Sequence, residues 1–292
     1  MAHSSPSHRF GQIVGNIFED AILSYLSGIA EAHSVYFDYK HPRMARNGKK
    51  EVKWKDINGN EHKLDAVMER NGSEYEFGKP RAFVEIAWRR YVKHSKNKAQ
   101  EISGAVRPLI ARYQEHAPFF GAIVSGEFTQ NALNQMRSEG FQVAFVPMSE
   151  VLEAFNAVGI DAHWSEKDDP AVLQNKISAY ERLAEKDRER LKNRLVELSA
   201  KHLVEFEFCL TSSLSRKITR IGVFAMYGTE SSFDCAKDAC LYIASFAEAP
   251  SSALFSHIEI SMSYSNGDRH TAKFAHRSDA IRFIQNYCQH WD

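Results

Sequence analysis

Two apolar segments each carry a single carboxylate, and this pair is the strongest chemical signal in the sequence. Asp65 lies within Leu64-Asp-Ala-Val-Met68, and Glu85 lies within Phe83-Val-Glu-Ile-Ala87. A buried carboxylate without a partner is unfavourable, so each needs a cation, a hydrogen-bond network or a raised pKa. A shared divalent metal would satisfy both acids, and oxygen ligands suit Mg²⁺, with Mn²⁺ as an alternative ion. The other interpretation is two core carboxylates that pair with arginines.

The elements around these acids are predicted to form an α/β layer. Residues 10–26 place their apolar side chains on one stripe with helical spacing, which predicts an amphipathic first helix. Strands are predicted at 34–39, 62–70, 81–88, 119–125 and 141–146, and helices at 95–113 and 131–139. The order of helix, three strands, helix, strand, helix and strand predicts an α/β fold with a central mixed sheet.

A helix with Gly15-Asn-Ile-Phe-Glu19, a strand with Asp65, a strand with Glu85 and then a helix resembles the PD-(D/E)xK nuclease superfamily. The resemblance covers about the first half of the chain. It implies a restriction endonuclease-like core in which Asp65 and Glu85 bind the metal. Glu19 is implied as a third metal residue, because several members carry a glutamate in a similar context on the first helix. Helical geometry places Glu19 on the flank of the apolar stripe and Asp20 on the opposite face.

The sequence departs from the superfamily pattern at Ala87, two residues after Glu85, where the superfamily has a lysine. There, that lysine helps to orient the attacking water and to neutralise charge, a role that a cation from another backbone position can fill. Lys98 is our candidate substitute, because it lies in the segment that leads from the Glu85 strand into the next helix. Lys93 and Lys96 compete for this role. The predicted catalytic residues are therefore Asp65, Glu85 and Lys98.

Basic residues flank both acids, although the chain as a whole has 37 lysines and arginines against 37 aspartates and glutamates. Such clusters neutralise phosphates and release counterions, so they suit a DNA cleft. The predicted DNA-binding residues are Arg43, Arg46, Lys49, Lys50, Arg89, Arg90, Lys93 and Lys96. The alternative is a solvated hairpin and loop. Trp54 and Trp88 can stack on bases or wedge a groove, but such residues more often pack in a core. His94 is a phosphate ligand, a general base or a structural residue.

The rest of the chain is predicted to be accessory. Residues 170–199 have a thin apolar seam between charged positions, which predicts a long helix. Further strands are predicted at 203–210, 218–227, 257–264 and 269–274, and helices at 232–246 and 278–287. We divide the chain into a disordered start (1–9), a nuclease-like domain (10–163), a helical connector (164–200) and a small α+β C-terminal domain (201–292). This last domain carries no catalytic constellation and is expected to serve recognition, dimerisation or partner docking.

These observations favour a Mg²⁺-dependent DNA endonuclease of the restriction or phage-defence kind. The expected partners are double-stranded DNA, a second copy in a homodimer and another defence protein. The alternative is a DNA-binding or assembly subunit that keeps the nuclease fold without cleavage, and RNA is a third substrate class. No apolar run of about 18 residues and no signal-peptide pattern occurs, so we expect a cytoplasmic protein without a membrane partner. The four cysteines are predicted to be reduced thiols.

Overall fold

The computed structural model describes residues 5–92, 95–165, 167–225, 230–245 and 257–288. The chain forms two compact units: unit 1 comprises 1–114 and 118–214, and unit 2 comprises 115–117 and 215–292. The helices of unit 1 are α1 (Pro6–Ala32), α2 (Ser95–Arg112), α3 (Gln130–Ser138), α4 (Met148–Ala154), α5 (Pro170–Glu181) and α6 (Glu185–Ser215), which ends at the unit boundary. Its strands are β1 (Tyr36–Tyr39), β2 (Val52–Lys55), β3 (Glu61–Leu64), β4 (Ala66–Arg70), β5 (Lys79–Arg89), β6 (Phe119–Gly126) and β7 (Gln142–Val146).

A five-stranded mixed sheet organises unit 1, with the strand order β1-β4-β5-β6-β7. The pairs β1–β4 and β4–β5 are antiparallel, whereas β5–β6 and β6–β7 are parallel. Strands β2 and β3 form a separate hairpin. The long strand β5 lies at the centre of the sheet, and its near-continuous apolar sequence is typical of a strand that is covered on both faces. The α/β class with a central mixed sheet is thus confirmed.

Helices cover both faces of this sheet. α1, α4 and α6 pack on one face, where Ala82, Val84 and Ile86 of β5 join their core. α2, α3 and the β2–β3 hairpin pack on the other face, which Phe83 and Ala87 join. Because side chains alternate along a strand, Glu85 shares the α2 face with Phe83 and Ala87.

Helix α1 is long and apolar enough to pass a length and hydropathy test for a membrane span, with a mean hydropathy of 1.2. Core helices of soluble proteins pass the same test, and 44% of this window is buried inside the protein. The helix begins at Pro6, because Ser5 caps it by accepting a hydrogen bond from the His8 backbone N–H at 3.3 Å. The disorder predicted for residues 1–9 is therefore wrong for 6–9, and residues 1–4 lie outside the described part.

The predicted connector is part of the unit 1 core. The long helix expected at 170–199 is two helices, α5 and α6, and the strand expected at 203–210 is wrong, because these residues continue α6. Leu203, Phe206 and Leu210 are buried at helical spacing, whereas Val204 and Phe208 are 65% and 70% exposed. The helix thus follows the period of 3.6 that buries one stripe. The boundary between the units falls after Leu214 rather than at 163 or 200.

Gly121 allows α6 to approach the sheet. A Cβ at this position would lie 2.5 Å from Cε2 of Phe206 and 2.8 Å from Cε1 of Phe119, so Gly121→Ala is expected to destabilise the protein by about 1–3 kcal/mol through overpacking. The matched control is Gly104→Ala on the exposed face of α2, where no atom lies within 4 Å. It is expected to stabilise by roughly 0.5–1 kcal/mol, because alanine favours helix. Urea unfolding measures both, and a stable Gly121→Ala protein would contradict the close packing of α6.

Unit 2 has two strand–strand–helix units; this order matches the predicted one, although the first unit is built from β8 and β9 and not from the strand predicted at 203–210. Its elements are β8 (Ile218–Ala225), β9 (Ser231–Phe233), α7 (Ala236–Ser245), β10 (Ile258–Tyr264), β11 (Arg269–Phe274) and α8 (Arg277–Cys288). The sheet is antiparallel with the order β11-β10-β8-β9, and α7 and α8 share a core with β8 and β10. Cys209, Cys235 and Cys240 are free thiols, and the side chain of Cys288 lies outside the described part.

Candidate active site

Asp65 stands where the chain passes from the β2–β3 hairpin into the main sheet. β3 ends at Leu64 and pairs with β2, whereas β4 begins at Ala66 and pairs with β1 and β5. The strand predicted at 62–70 is therefore broken at Asp65, because its two halves join different sheets. The Oδ2 atom of Asp65 accepts a hydrogen bond from the backbone N–H of Ile86 at 2.8 Å. This bond ties the first acid to β5, next to the second.

Glu85 is 4% exposed and lies in the middle of β5. Its Oε1 atom has no hydrogen-bond partner among the described residues. Burial raises the pKa of Glu85 well above its ordinary value, and the charge of the neighbouring Asp65 raises it further, while the Lys98 ammonium opposes both effects. A buried acid with an unpartnered oxygen beside a second carboxylate is an arrangement that a cation would stabilise.

Lys98 comes from the first turn of α2, and its side chain is 12% exposed. It donates a hydrogen bond to Glu101 at 2.8 Å and is close enough to Glu85 to lower the pKa of that acid. Ala87 is 3% exposed and packs in the core beneath α2. The cation next to Glu85 therefore comes from the helix and not from β5. Of its predicted competitors, Lys96 is exposed, and Lys93, like His94, lies outside the described residues.

Glu19 approaches the same place from α1. It is half-buried, and Asp20 beside it is exposed, as helical geometry predicted. Burial raises the pKa of Glu19 and the charge of Asp65 raises it further, whereas Lys40 and Lys63 oppose the shift. Lys63 was missing from the predicted site. Because it precedes Asp65 by two residues, the alternation of strand side chains was a signal that could have found it.

These groups border a cleft of about 920 Å³ in unit 1. Glu19, Asp65 and Lys98 line it. The rest of the wall includes Gly11, Gly15, Ala87, Trp88, Arg89, Arg90, Tyr91, Asp168, Pro170 and Leu173. Glu85 is not among the described lining residues, in keeping with its burial. Glu19, Asp65 and Lys98 thus line one cleft, and Glu85 is buried near Asp65 and Lys98.

Two of the predicted DNA-binding residues are structural, so the prediction is wrong for Arg43 and Arg46. Arg43 is fully buried, where its guanidinium lies 2.6 Å from Glu69 and 2.8 Å from Asp38. Arg46 is 7% exposed and pairs with Asp38. Their donors are taken up by acids on β1 and β4, and a charge run in a sequence does not reveal such partners.

The other predicted DNA contacts within the described residues are at least partly accessible. Lys49, Lys50 and Lys96 are exposed. Arg89 is half-buried, donates a hydrogen bond to the carbonyl oxygen of Trp88 at 2.8 Å and lies 3.9 Å from Glu101. The guanidinium of Arg90 lies 4.4 Å from the ring centroid of Trp164, and it also donates to the hydroxyl of Ser7.

The two tryptophans of the basic runs have different surroundings. Trp54 is 6% exposed and makes edge contacts with Phe77, Phe83 and Tyr113, so it packs in the core. Trp88 is half-buried and lines the cleft. Only Trp88 of this pair is therefore placed to meet a ligand in the cleft.

Comparison with known proteins adds little to this geometry. No protein-family model matches the chain, and no curated protein matches it. The crystal structure of AF1548, a protein of unknown function, is similar over 63% of this chain and 99% of that chain, with 12% sequence identity and a TM-score of 0.30. A similarity at this level carries no argument about fold or activity. Functional inference therefore depends on the residues of the cleft.

The raised pKa of Glu85 predicts a pH-dependent stability in metal-free buffer with EDTA. Below the ordinary carboxyl pKa of 4.5 the acid is protonated in both the folded and unfolded states. Above that pH the unfolded chain releases the proton first, so the free energy of unfolding falls until the pH passes the raised pKa. Glu85→Gln removes this loss. We therefore expect the free energy of unfolding of Glu85→Gln, relative to that of the wild type, to be higher at pH 8 than at pH 5, and to exceed the wild-type value at pH 8.

Urea unfolding of both proteins at the two pH values measures this difference. The control is Glu205→Gln at an exposed position on α6, which should not change the pH dependence. An equal gap between the wild type and Glu85→Gln at pH 5 and pH 8 would show that Glu85 is not held protonated by its burial.

Proposed function

We propose that this protein is a metal-dependent endonuclease that hydrolyses phosphodiester bonds of DNA, with a restriction endonuclease-like core in unit 1. The observation that carries the proposal is the convergence of Asp65, buried Glu85 and Lys98 beside a cleft that Arg89 and Arg90 also line. Two neighbouring acids, one on β5 and one just before β4, and a nearby cation form a set that can act on a phosphate. A role in restriction or phage defence, as a cytoplasmic homodimer, is part of the same proposal.

The donor set fits a magnesium ion. In the part of the chain that the structure describes, no group of three or more His, Cys, Asp and Glu side chains could hold a metal by itself. Mg²⁺ is usually bound through only one or two carboxylates and keeps several waters. Asp65 and Glu85 would hold it, which would give the unpartnered Oε1 of Glu85 a partner. Glu19 would support them as a half-buried acid beside Asp65.

Each residue of the proposed site then has a distinct role. The N–H of Ile86 holds the Asp65 carboxylate in place. The Lys98 ammonium orients the attacking water and offsets charge that develops on the phosphate. Arg89, Arg90 and the exposed lysines bind phosphates of double-stranded DNA. A bound metal supplies Lewis-acid polarisation and a water of lowered pKa.

A second candidate function follows from Ala87, which stands in place of the superfamily's lysine. The protein would then be a DNA-binding or assembly subunit of a defence complex that keeps the nuclease fold without cleavage. The proximity of Lys98 to Glu85 favours the enzyme over this subunit, because the missing charge is supplied from α2. RNA is the third substrate class to be compared.

The test is incubation of the full chain with supercoiled plasmid and phage DNA in Mg²⁺, Mn²⁺ or EDTA. Asp65→Asn and Glu85→Gln remove the proposed ligands with little change in shape. Metal-dependent nicking or fragmentation that both variants lose while still binding DNA supports the enzyme. Intact DNA under all conditions, with DNA binding observed, supports the non-cleaving subunit. A wild-type protein that neither binds nor cleaves DNA overturns both proposals.

A further inference from the structure

One wall of the cleft combines aromatic and basic side chains. Four consecutive residues, Trp88-Arg89-Arg90-Tyr91, all line it as β5 ends. A cavity of about 920 Å³ has the size of a pocket for a small molecule, for which roughly 300–1,000 Å³ is common. The cleft is therefore large enough for a nucleotide.

The indole of Trp88 is fixed in this wall by its neighbours. A Cβ at Gly15 would lie 3.3 Å from Cε3 of Trp88, and one at Gly11 would lie 3.6 Å from its Cη2. A Cβ at Gly15 would thus be tight against the indole, whereas one at Gly11 would make an ordinary van der Waals contact. A second ring, that of Trp164, lies nearly parallel to Trp88, with 6.3 Å between ring centroids and an interplanar angle of 19°. A ring held in this way loses little freedom when a flat ligand stacks on it.

We infer that the cleft takes one unpaired nucleotide of a DNA strand, with its base against Trp88 and its phosphate beside Arg89 and Arg90. This inference rests on the proposed function of the same site and names its substrate class. Bases in an intact duplex stack on one another and present only their edges in the grooves. A base can meet an aromatic face only when it is single-stranded or extruded. The substrate therefore contains a single-stranded end, a gap, a bulge or a flipped base next to the phosphate that is cut.

Binding of the wild-type chain in EDTA tests the inference without cleavage. The probe is a DNA oligonucleotide with one 2-aminopurine, used single-stranded and in a fully paired duplex at the same ionic strength, because salt changes both affinities. We expect tighter binding of the single strand by fluorescence anisotropy, together with quenching of 2-aminopurine by stacking. Equal or tighter binding of the duplex without quenching overturns the inference, as does a preference for the RNA strand of the same sequence.

Variants assign the effect to the proposed ring. Trp88→Leu should weaken single-strand binding by about tenfold or more and leave duplex binding unchanged, whereas Trp88→Phe should retain part of the quenching. Phe208→Leu is the control, since Phe208 is an aromatic residue of α6 that is 70% exposed and outside the described cleft lining. Thermal unfolding shows whether each variant is folded. If Trp88→Leu does not fold, the comparison of single-stranded and duplex DNA binding by the wild type tests the inference alone.

The two proposals fail in different ways. A preference for the single strand without metal-dependent cleavage supports the inference and removes the nuclease function. Cleavage that depends on Asp65 and Glu85, with equal affinity for single strand and duplex, supports the nuclease and removes the inference.

Discussion

Replacing Lys98 with methionine is expected to slow DNA cleavage by about 100- to 1,000-fold, the usual loss when one preorganised stabilising group is removed from an active site. Methionine keeps most of the length of the side chain and removes only its charge. In the proposed mechanism Lys98 acts next to Glu85 rather than on the DNA backbone, so the effect should appear in kcat while affinity for DNA changes little. Single-turnover cleavage and anisotropy in EDTA measure these two quantities.

Lys96→Met is the matched control, since Lys96 lies on the same helix but is exposed. It should change the rate little and reduce mainly the salt dependence of binding. Adding Ala87→Lys to Lys98→Met returns a cation to the face of β5 that carries Glu85, and we expect it to recover part of the rate. An active Lys98→Met protein would show that the missing lysine is replaced elsewhere or is not needed.

Arg43→Met is expected to destabilise the protein by about 3–5 kcal/mol, because it leaves buried Glu69 without its cation. The Arg43 guanidinium also donates to the carbonyl oxygens of Ser73 at 2.7 Å and Glu76 at 2.8 Å, so it holds the β4–β5 loop in place. Arg43→Lys should not restore stability, since one ammonium group cannot reproduce the fork of a guanidinium. Urea unfolding at pH 7 measures both variants.

Lys49→Met serves as the control in the same basic run, because Lys49 is exposed and should alter stability by no more than about 0.5 kcal/mol. The burial of Arg43 also implies that Arg43→Met, where it is folded, binds DNA as well as the wild type. A stable Arg43→Met protein with weakened DNA binding would restore the original prediction that this residue contacts phosphates.

The strands and helices of unit 1 were predictable where one period dominates the sequence. Phe83 to Ala87 is a short apolar run, and it indeed forms the centre of β5. The segment 203–210, by contrast, alternates apolar and charged residues as a surface strand does, and also places Leu203, Phe206 and Leu210 at helical spacing. Continuation of α6 into the core decided between these patterns, which is a tertiary effect that local sequence does not contain.

The candidate site was predictable in part for a similar reason. Asp65 and Glu85 stood out because an acid in an apolar run is unusual, and the helical wheel placed Glu19 correctly relative to Asp20. Whether a basic residue is buried in an ion pair or exposed to solvent depends on partners that are distant in the chain. Arg43 pairs with Glu69, which is 26 residues away in the chain, and such a pairing between the segment after β1 and strand β4 has no signature in spacing.

The origin of Lys98 on a helix also gives the two halves of the site unequal local stability. Strand β5 is hydrogen-bonded to neighbours on both sides, so its carboxylate is released only when the sheet opens. Lys98 lies in the first turn of α2, where backbone N–H groups lack partners within the helix and fraying requires less free energy. We expect native-state hydrogen exchange to be faster around Lys98 than at Ile86. Local opening of this turn would move the Lys98 ammonium away from Glu85. The proposed cleavage would then stop while the rest of the fold stays intact.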